Sequence, residues 1–344
     1  MYSQFTVISL YIINILLSYL ILKKDSKIKN LVLVLQVIVF SLYFGMRPDT
    51  VGSDTASYFK HIITGSFERE FLFNVVLNVF KGFGLNKPQF VLSVFSLLIN
   101  ASLAIVIILI FGKNYKYQNI AFVVWMLMPF TILFNINVVR QGVGQALLLV
   151  GIVGLQSRKK GIYMLPVFLG NFFHYSIPVF TIVYFFAFFK PIKVKVYVLV
   201  MLLMVVFSNS SLFDYLMGVV PNSISNLYNS YSLRTNLISY FLLFYFYGAQ
   251  LLFFSFIPYR EKNQEFYIKL ILSHLILGAI VSQGRVFSTR FVIGIDMIIP
   301  AIYFMVYHWF DKTSKYFNNA VFIVVIIAVF IIMNSVPIVS NFSF

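Results

Sequence analysis

Three observations predict an all-α integral membrane protein, a polytopic bundle of about 11–12 transmembrane or re-entrant helices with two larger extracytoplasmic segments. First, 60% of the residues are hydrophobic and only 10% are charged, against a charged share of roughly 25% in a soluble globular chain. Second, apolar runs close to the roughly 20 residues that a helix needs to cross hydrocarbon recur along the whole sequence. Third, the joints between them are short and rich in lysine, the pattern of cytoplasmic loops under the positive-inside rule. No stretch is left over for an independent soluble domain, so residues 1–344 read as a single polytopic membrane domain.

The elements follow in order from the basic joints. Lys23, Lys24, Lys27 and Lys29 form the first, Lys113 and Lys116 the second, and Arg158, Lys159 and Lys160 the third. Lys190, Lys193 and Lys195 come next, then Arg260, Lys262 and Lys269, and finally Lys312 and Lys315. Placing all of them inside gives spans near 6–22, 31–46, 89–111, 119–135 and 141–156, a hairpin over about 162–189, and spans near 196–208, 236–257, 266–282, 291–309 and 319–339. Both termini then lie outside. The first run lacks a basic leader and a small-residue cleavage site, which predicts a retained span rather than a signal peptide. The hairpin holds about 28 residues, too few for two full crossings at 1.5 Å per residue, so it is expected to be short, broken or re-entrant.

Two outward segments exceed ordinary joints, about 47–88 and 208–235. In the first, Glu70, Asn74, Asn78 and Lys81 recur at helical spacing among Phe71, Leu72, Val75, Val76, Leu77, Val79 and Phe80. That pattern predicts an amphipathic helix lying along the outer interface, either as an anchor or lining a cavity.

The formal charge of +16, from 26 basic and 10 acidic residues, is accounted for by the joints and by anionic lipid headgroups. Membrane lipids are therefore expected partners and nucleic acid is not. The chain has no cysteine, which removes a disulfide framework and any thiolate metal site. It also lacks HExxH, Walker and GxSxG signatures, so metal hydrolysis and ATP-driven work find no support. No cofactor and no metal is expected.

Once the basic joints are inside, the arginines that topology does not explain include Arg47, Arg69, Arg140, Arg285 and Arg290, all at outer positions. Arg140 opens an otherwise apolar span with Gln141 beside it, and an ionisable group there is a functional candidate. Snorkelling to headgroups is the plain alternative. Arg285 and Arg290 flank the outer end of a later span. Guanidinium forks suit phosphate oxygens, and Arg140, Arg285 and Arg290 together would make an anion site. His174 lies near the turn of the hairpin with Asn171 three residues before it, on the same face if that stretch is helical. Its imidazole could shuttle a proton near neutral pH or serve packing alone. The segment Arg47-Pro48-Asp49-Thr50-Val51-Gly52-Ser53-Asp54-Thr55-Ala56-Ser57-Tyr58 concentrates carboxylates, a glycine and a tyrosine. A carboxylate beside arginines can act as a base or hold an arginine, and an Asp-stabilised turn is the simpler reading.

Together these stretches resemble the EpsG-type family of Wzy-like polysaccharide polymerases, bacterial membrane proteins that join lipid-linked oligosaccharide units. The likeness rests on Gly52-Ser53-Asp54-Thr55-Ala56-Ser57-Tyr58, on Arg140-Gln141 opening a span, on His174-Tyr175-Ser176, and on the stretch around Arg290, in that order over roughly residues 45–295. After Arg290 the sequence reads Phe291-Val292-Ile293-Gly294, where the family pattern often continues to a tyrosine. The resemblance implies transfer of a growing glycan from undecaprenyl diphosphate to the terminal hydroxyl of a new lipid-linked unit, at the outer face of the bacterial cytoplasmic membrane. It implies Asp54, His174 and Arg140 as catalytic candidates, and Arg47, Arg140, Gln141, Arg285, Arg290, Tyr58 and Asn171 as binders of diphosphate and sugar. The implied partners are undecaprenyl-diphosphate-linked oligosaccharides, a flippase and chain-length regulators. Arginines take the place of a divalent cation in this picture. A membrane O-acyltransferase acting on surface glycan, and a flippase or transporter of lipid-linked oligosaccharide, are the rival readings.

Overall fold

The computed structural model describes residues 4–65, 70–113, 115–158, 160–189, 192–208, 210, 215, 264–280 and 291–305. Every regular element among them is helical. They divide into two compact units, one within Met1–Ile182 and one within Val183–Lys315.

The first unit opens with α1 (Gln4–Leu20) and α2 (Ser26–Gly45). Asp25 caps α2 by accepting a hydrogen bond from the Ile28 amide at 3.0 Å, which fills one of the donors left open at a helix start. Along α2, Leu33, Val37, Phe40 and Phe44 are buried while Leu31, Val34, Ile38 and Leu42 are exposed. A helix apolar on its exposed face as well as its buried one is solvated by lipid rather than water. The long α5 (Pro88–Phe111) packs between α2 and α8 (Val139–Arg158). These three, α2, α5 and α8, have the length and apolarity to cross a membrane.

Buried polar groups tie the helices laterally. Gln36 Nε2 donates to Ser18 Oγ at 2.8 Å, and Asn119 Nδ2 donates to Gln36 Oε1 at 3.1 Å and to the Lys29 carbonyl at 3.0 Å. On the other side of α2, Asn100 Nδ2 donates to Ser41 Oγ at 3.0 Å. Between apolar helices in lipid, such bonds each contribute roughly 0.6–2 kcal/mol.

The span expected near 119–135 is two helices, α6 (Gln118–Leu127) and α7 (Pro129–Ile136). Pro129 is the cause. It lacks an N–H and disfavours helical backbone in the residue before it, and Met128 is extended at φ −64°, ψ 130°. The loosened end of α6 is satisfied locally, since the Met128 amide donates to the Trp125 carbonyl at 3.2 Å. The Tyr11 hydroxyl of α1 donates to the Met126 carbonyl at 2.7 Å.

The segment expected to face outward contains α3 (Thr55–Thr64) and α4 (Phe71–Gly82). On α4, Phe73 and Leu77 are buried, and the exposed residues include the apolar Phe71, Val75 and Val79 as well as Asn78 and Lys81 of the expected polar stripe. The hairpin is short, as its length requires: a 3-10 turn over Gly161–Tyr163, α9 (Met164–Asn171) and α10 (Ile177–Phe189). It lies close against α8 because glycines meet there. A Cβ on Gly144 would stand 2.7 Å from Ile177 Cγ1 and 3.0 Å from the Gly170 carbonyl, and one on Gly170 would stand 2.7 Å from the Gly144 carbonyl.

In the second unit α11 (Val194–Ser208) packs against α12 (Gln264–Ile280). His274 of α12 is fully buried. Its Nδ1 meets the Phe291 carbonyl at 2.6 Å and its Nε2 meets the Tyr184 hydroxyl. Since a carbonyl only accepts, the proton sits on Nδ1 and Tyr184 donates to Nε2. The imidazole is a packed joint between α12, Tyr184 and Phe291. The second large outward segment, about 208–235, lies mostly outside the described residues, as do Arg285 and Arg290.

Candidate active site

The site forms where four separate stretches of the first unit meet the turn between α7 and α8. Arg47 is the foundation. It is fully buried, and its guanidinium donates to the Phe44 carbonyl at 2.7 Å, the Asn135 carbonyl at 3.1 Å and the Ile136 carbonyl at 2.7 Å, while Nε donates to Thr55 Oγ1 at 2.9 Å. Two helix ends, those of α2 and α7, present their last carbonyls to one cation, which answers both their unmet acceptors and the negative ends of their dipoles. Expected as a substrate binder, Arg47 instead spends these donors on the protein itself.

The Gly52–Tyr58 stretch docks onto the same turn. Gly52 has φ +88°, and a Cβ there would collide with the Asn137 and Ile136 side chains. Only glycine meets both demands. Thr55 donates to the Val51 carbonyl at 2.6 Å, and the Tyr58 hydroxyl donates to the Asn137 carbonyl at 3.1 Å. Burial pushes the Tyr58 phenol above its ordinary range despite the opposing pull of Arg140, so it remains a neutral donor at working pH. Asp54 stands at the start of α3, partly exposed, and accepts a hydrogen bond from Ser53 Oγ at 3.1 Å.

Arg140 is the second residue of α8. Its side chain is 20% exposed, and it forms a short ion pair with Glu70, whose own side chain is 2% exposed. The guanidinium carbon lies 5.6 Å from the Tyr58 ring centroid and 5.8 Å from that of Phe73. Stacking over two ring faces holds its plane in place, worth roughly 0.5–2 kcal/mol per contact. Glu70 ends the extended stretch before α4, at φ −134°, ψ 112°. The Leu72 amide next to it donates to the Phe172 carbonyl at 3.1 Å, which fixes the start of α4 against the turn of the hairpin. Assigned by spacing to the polar stripe of α4, Glu70 is turned inward instead and is the functional candidate that sequence reasoning missed. The available signal was the surplus of outer arginines, which calls for a counter-ion.

His174 comes from the α9–α10 turn and is 4% exposed. Its Nδ1 accepts from the Ser176 amide at 3.2 Å and lies 2.8 Å from Ser176 Oγ. An amide N–H can only donate, so Nδ1 carries no proton in the neutral ring and the Nε2–H faces Glu70 Oε1, 3.5 Å away. Asn171 does not share a helical face with His174, because α9 ends at Asn171. It ties the hairpin together, donating to the Val167 carbonyl at 2.7 Å and accepting from Thr181 Oγ1 at 3.0 Å. Gln141 is buried beside Arg140.

The structure thus brings Tyr58, Glu70, Arg140 and His174 into one cluster, with Arg47 and Gly52 supporting it from behind. Such a cluster can hold an anion on the exposed edge of Arg140 and move a proton at Glu70 or His174. The EpsG family model matches residues 30–343. No curated protein and no solved structure matches the chain. The match spans most of the sequence, from the start of α2 past all of the motif residues just described; the chain belongs to the EpsG family, a membership that supports a role of polysaccharide-polymerase type.

Proposed function

We propose that the protein polymerises lipid-linked oligosaccharide repeat units, transferring a growing glycan from undecaprenyl diphosphate to the terminal hydroxyl of a new lipid-linked unit. The reading places the reaction at the outer face of the bacterial cytoplasmic membrane. The observation that carries it is the Arg140–Glu70–His174 cluster at the end of a membrane-spanning helix, set beside a segment read as extracytoplasmic. Both substrates are amphiphiles whose diphosphate sits at headgroup depth. A partly exposed guanidinium at the end of a span meets that depth, and its fork of donors matches phosphate oxygens.

The chemical task is to stabilise the charge that develops on the leaving diphosphate while a hydroxyl attacks the anomeric carbon. A preorganised cation held by aromatic faces and a fixed carboxylate does this without reorganising when the charge appears. In this reading Arg140 takes the place of a divalent cation. Arg285 and Arg290, which the sequence places at another outer span end, are proposed to complete the grip, and Asp54 and Tyr58 to line the sugar side.

Deletion of the gene followed by analysis of surface glycan tests the proposal. Single repeat units accumulating on the lipid carrier at the outer face are expected. Entrapment of those units on the inner face would favour a flippase, and loss of acetyl groups from an otherwise intact polymer would favour an acyltransferase.

A further inference from the structure

Among its described residues the first unit carries four carboxylates, Asp25, Asp49, Asp54 and Glu70; the last three belong to the segment read as outer, and of these Glu70 contacts Arg140. We propose that Glu70 is the base that accepts the proton of the attacking sugar hydroxyl, released for that task when the diphosphate takes over Arg140. The inference rests on the polymerase reading above and deepens it.

His174 has Nδ1 occupied by the Ser176 amide and hydroxyl, and its Nε2 faces Glu70. Both ring nitrogens are turned to protein, so the imidazole positions the carboxylate rather than reaching substrate. The Tyr58 hydroxyl donates to a backbone carbonyl, and burial raises its phenol. Asp54 is engaged with Ser53 at the exposed start of α3. Glu70 lies between the cation proposed to hold the leaving group and the His174 imidazole, whose Nε2 stands 3.5 Å from its second oxygen.

Its basicity is set by what Arg140 is doing. While the ion pair is intact, the guanidinium stabilises the carboxylate anion and makes it a weak base. A diphosphate carries more charge than a carboxylate and offers bidentate acceptors to the same fork. Once Arg140 turns its donors to the phosphate, Glu70 loses its strongest counter-ion in a buried site, and its affinity for a proton rises. The base is thereby activated only when the donor substrate is bound.

The step balances. The acceptor oxygen forms a bond to the anomeric carbon of the growing glycan as the bond from that carbon to the diphosphate oxygen breaks. The electron pair of the broken bond leaves on the diphosphate, held by Arg140. The hydroxyl proton passes to the Glu70 carboxylate and then to water as the carrier departs and the ion pair forms again.

The test is Glu70→Gln in purified protein reconstituted into vesicles, with two readouts: binding of undecaprenyl diphosphate, and turnover of a lipid-linked repeat unit. The amide cannot take the proton, yet it no longer competes for Arg140. Binding at least as tight as that of the unaltered protein is expected, with turnover lowered by roughly 100-fold or more. Turnover within about threefold of normal would overturn the proposal, and so would joint loss of binding and turnover in a folded variant, which would assign Glu70 to holding Arg140 alone. If Glu70→Gln does not accumulate in the membrane, Glu70→Asp carries the test, because it keeps the charge but withdraws it by a methylene. A fall in turnover of about tenfold or more at unchanged affinity supports the base, and unchanged turnover contradicts it. Failure of the underlying reading looks different: the unaltered protein would then neither bind undecaprenyl diphosphate nor polymerise.

Discussion

A guanidinium on the second residue of a helix sits against the positive end of the helix dipole, a placement that costs roughly 0.3–1 kcal/mol. Arg140 occupies that position on α8, and local preference does not explain it; the Glu70 carboxylate and the two aromatic faces do. Arg47 is the opposite case, with every element of its setting favourable: it closes the carboxyl ends of α2 and α7 by donating to three carbonyls. Arg47→Ala leaves those acceptors buried and unmet, at about 1–3 kcal/mol each. A clear fall in the detergent-solubilised melting temperature is expected, with activity lost through misplacement of the α7–α8 turn. An unchanged melting temperature would refute this supporting role. The sequence made both arginines visible as outer cations that topology leaves unexplained. It did not separate them, because the carbonyls that claim Arg47 lie 88 and 89 residues further along the chain.

At the scale of elements, the site depends on how closely the hairpin lies against α8. The backbones of Gly144 and Gly170 nearly touch, and this brings the α9–α10 turn with His174 beside the start of α8. Gly170→Ala adds a methyl group 2.7 Å from a backbone carbonyl that has nowhere to move. The helices must part, at a cost of about 1–3 kcal/mol, and His174 moves away from Glu70. Reduced stability together with reduced polymerisation is expected. A variant as stable and active as the original would mean that the close approach is unimportant. The hairpin was legible from its length alone, and so was α4 from its two-faced spacing. The break between α6 and α7 was hidden inside a run of apolar residues, although Pro129 marks it, since a proline in a membrane helix produces a kink or a break according to neighbours that sequence does not reveal. Glu70 was misread for a related reason. Spacing assigned it to the polar stripe of α4, whereas it stands one residue before that helix, where the helical period no longer sets the direction of a side chain.

For the molecule as a whole, composition was enough to identify the solvent: a chain with so few charges and lipid-facing leucine and valine along α2 folds in a bilayer. The positive-inside rule then gave an expected path, on which the arginines read as outer became conspicuous. The assembly of Arg47, Gly52, Tyr58, Glu70, Arg140 and His174 was beyond that reading, since it arises largely from contacts between stretches about 70 to 104 residues apart in sequence, which only tertiary packing creates. Arg285 and Arg290 lie outside the described residues. Arg140 is the central residue of the described site, and the most direct measurement compares Arg140→Lys with the unaltered protein in vesicles supplied with a lipid-linked repeat unit. Lysine keeps the charge that balances Glu70 and so preserves the fold, but it lacks the bidentate fork. The account predicts a folded variant whose affinity for undecaprenyl diphosphate and rate of polymerisation both fall, the rate by roughly 100-fold. Polymerisation at the normal rate by the lysine variant would contradict it.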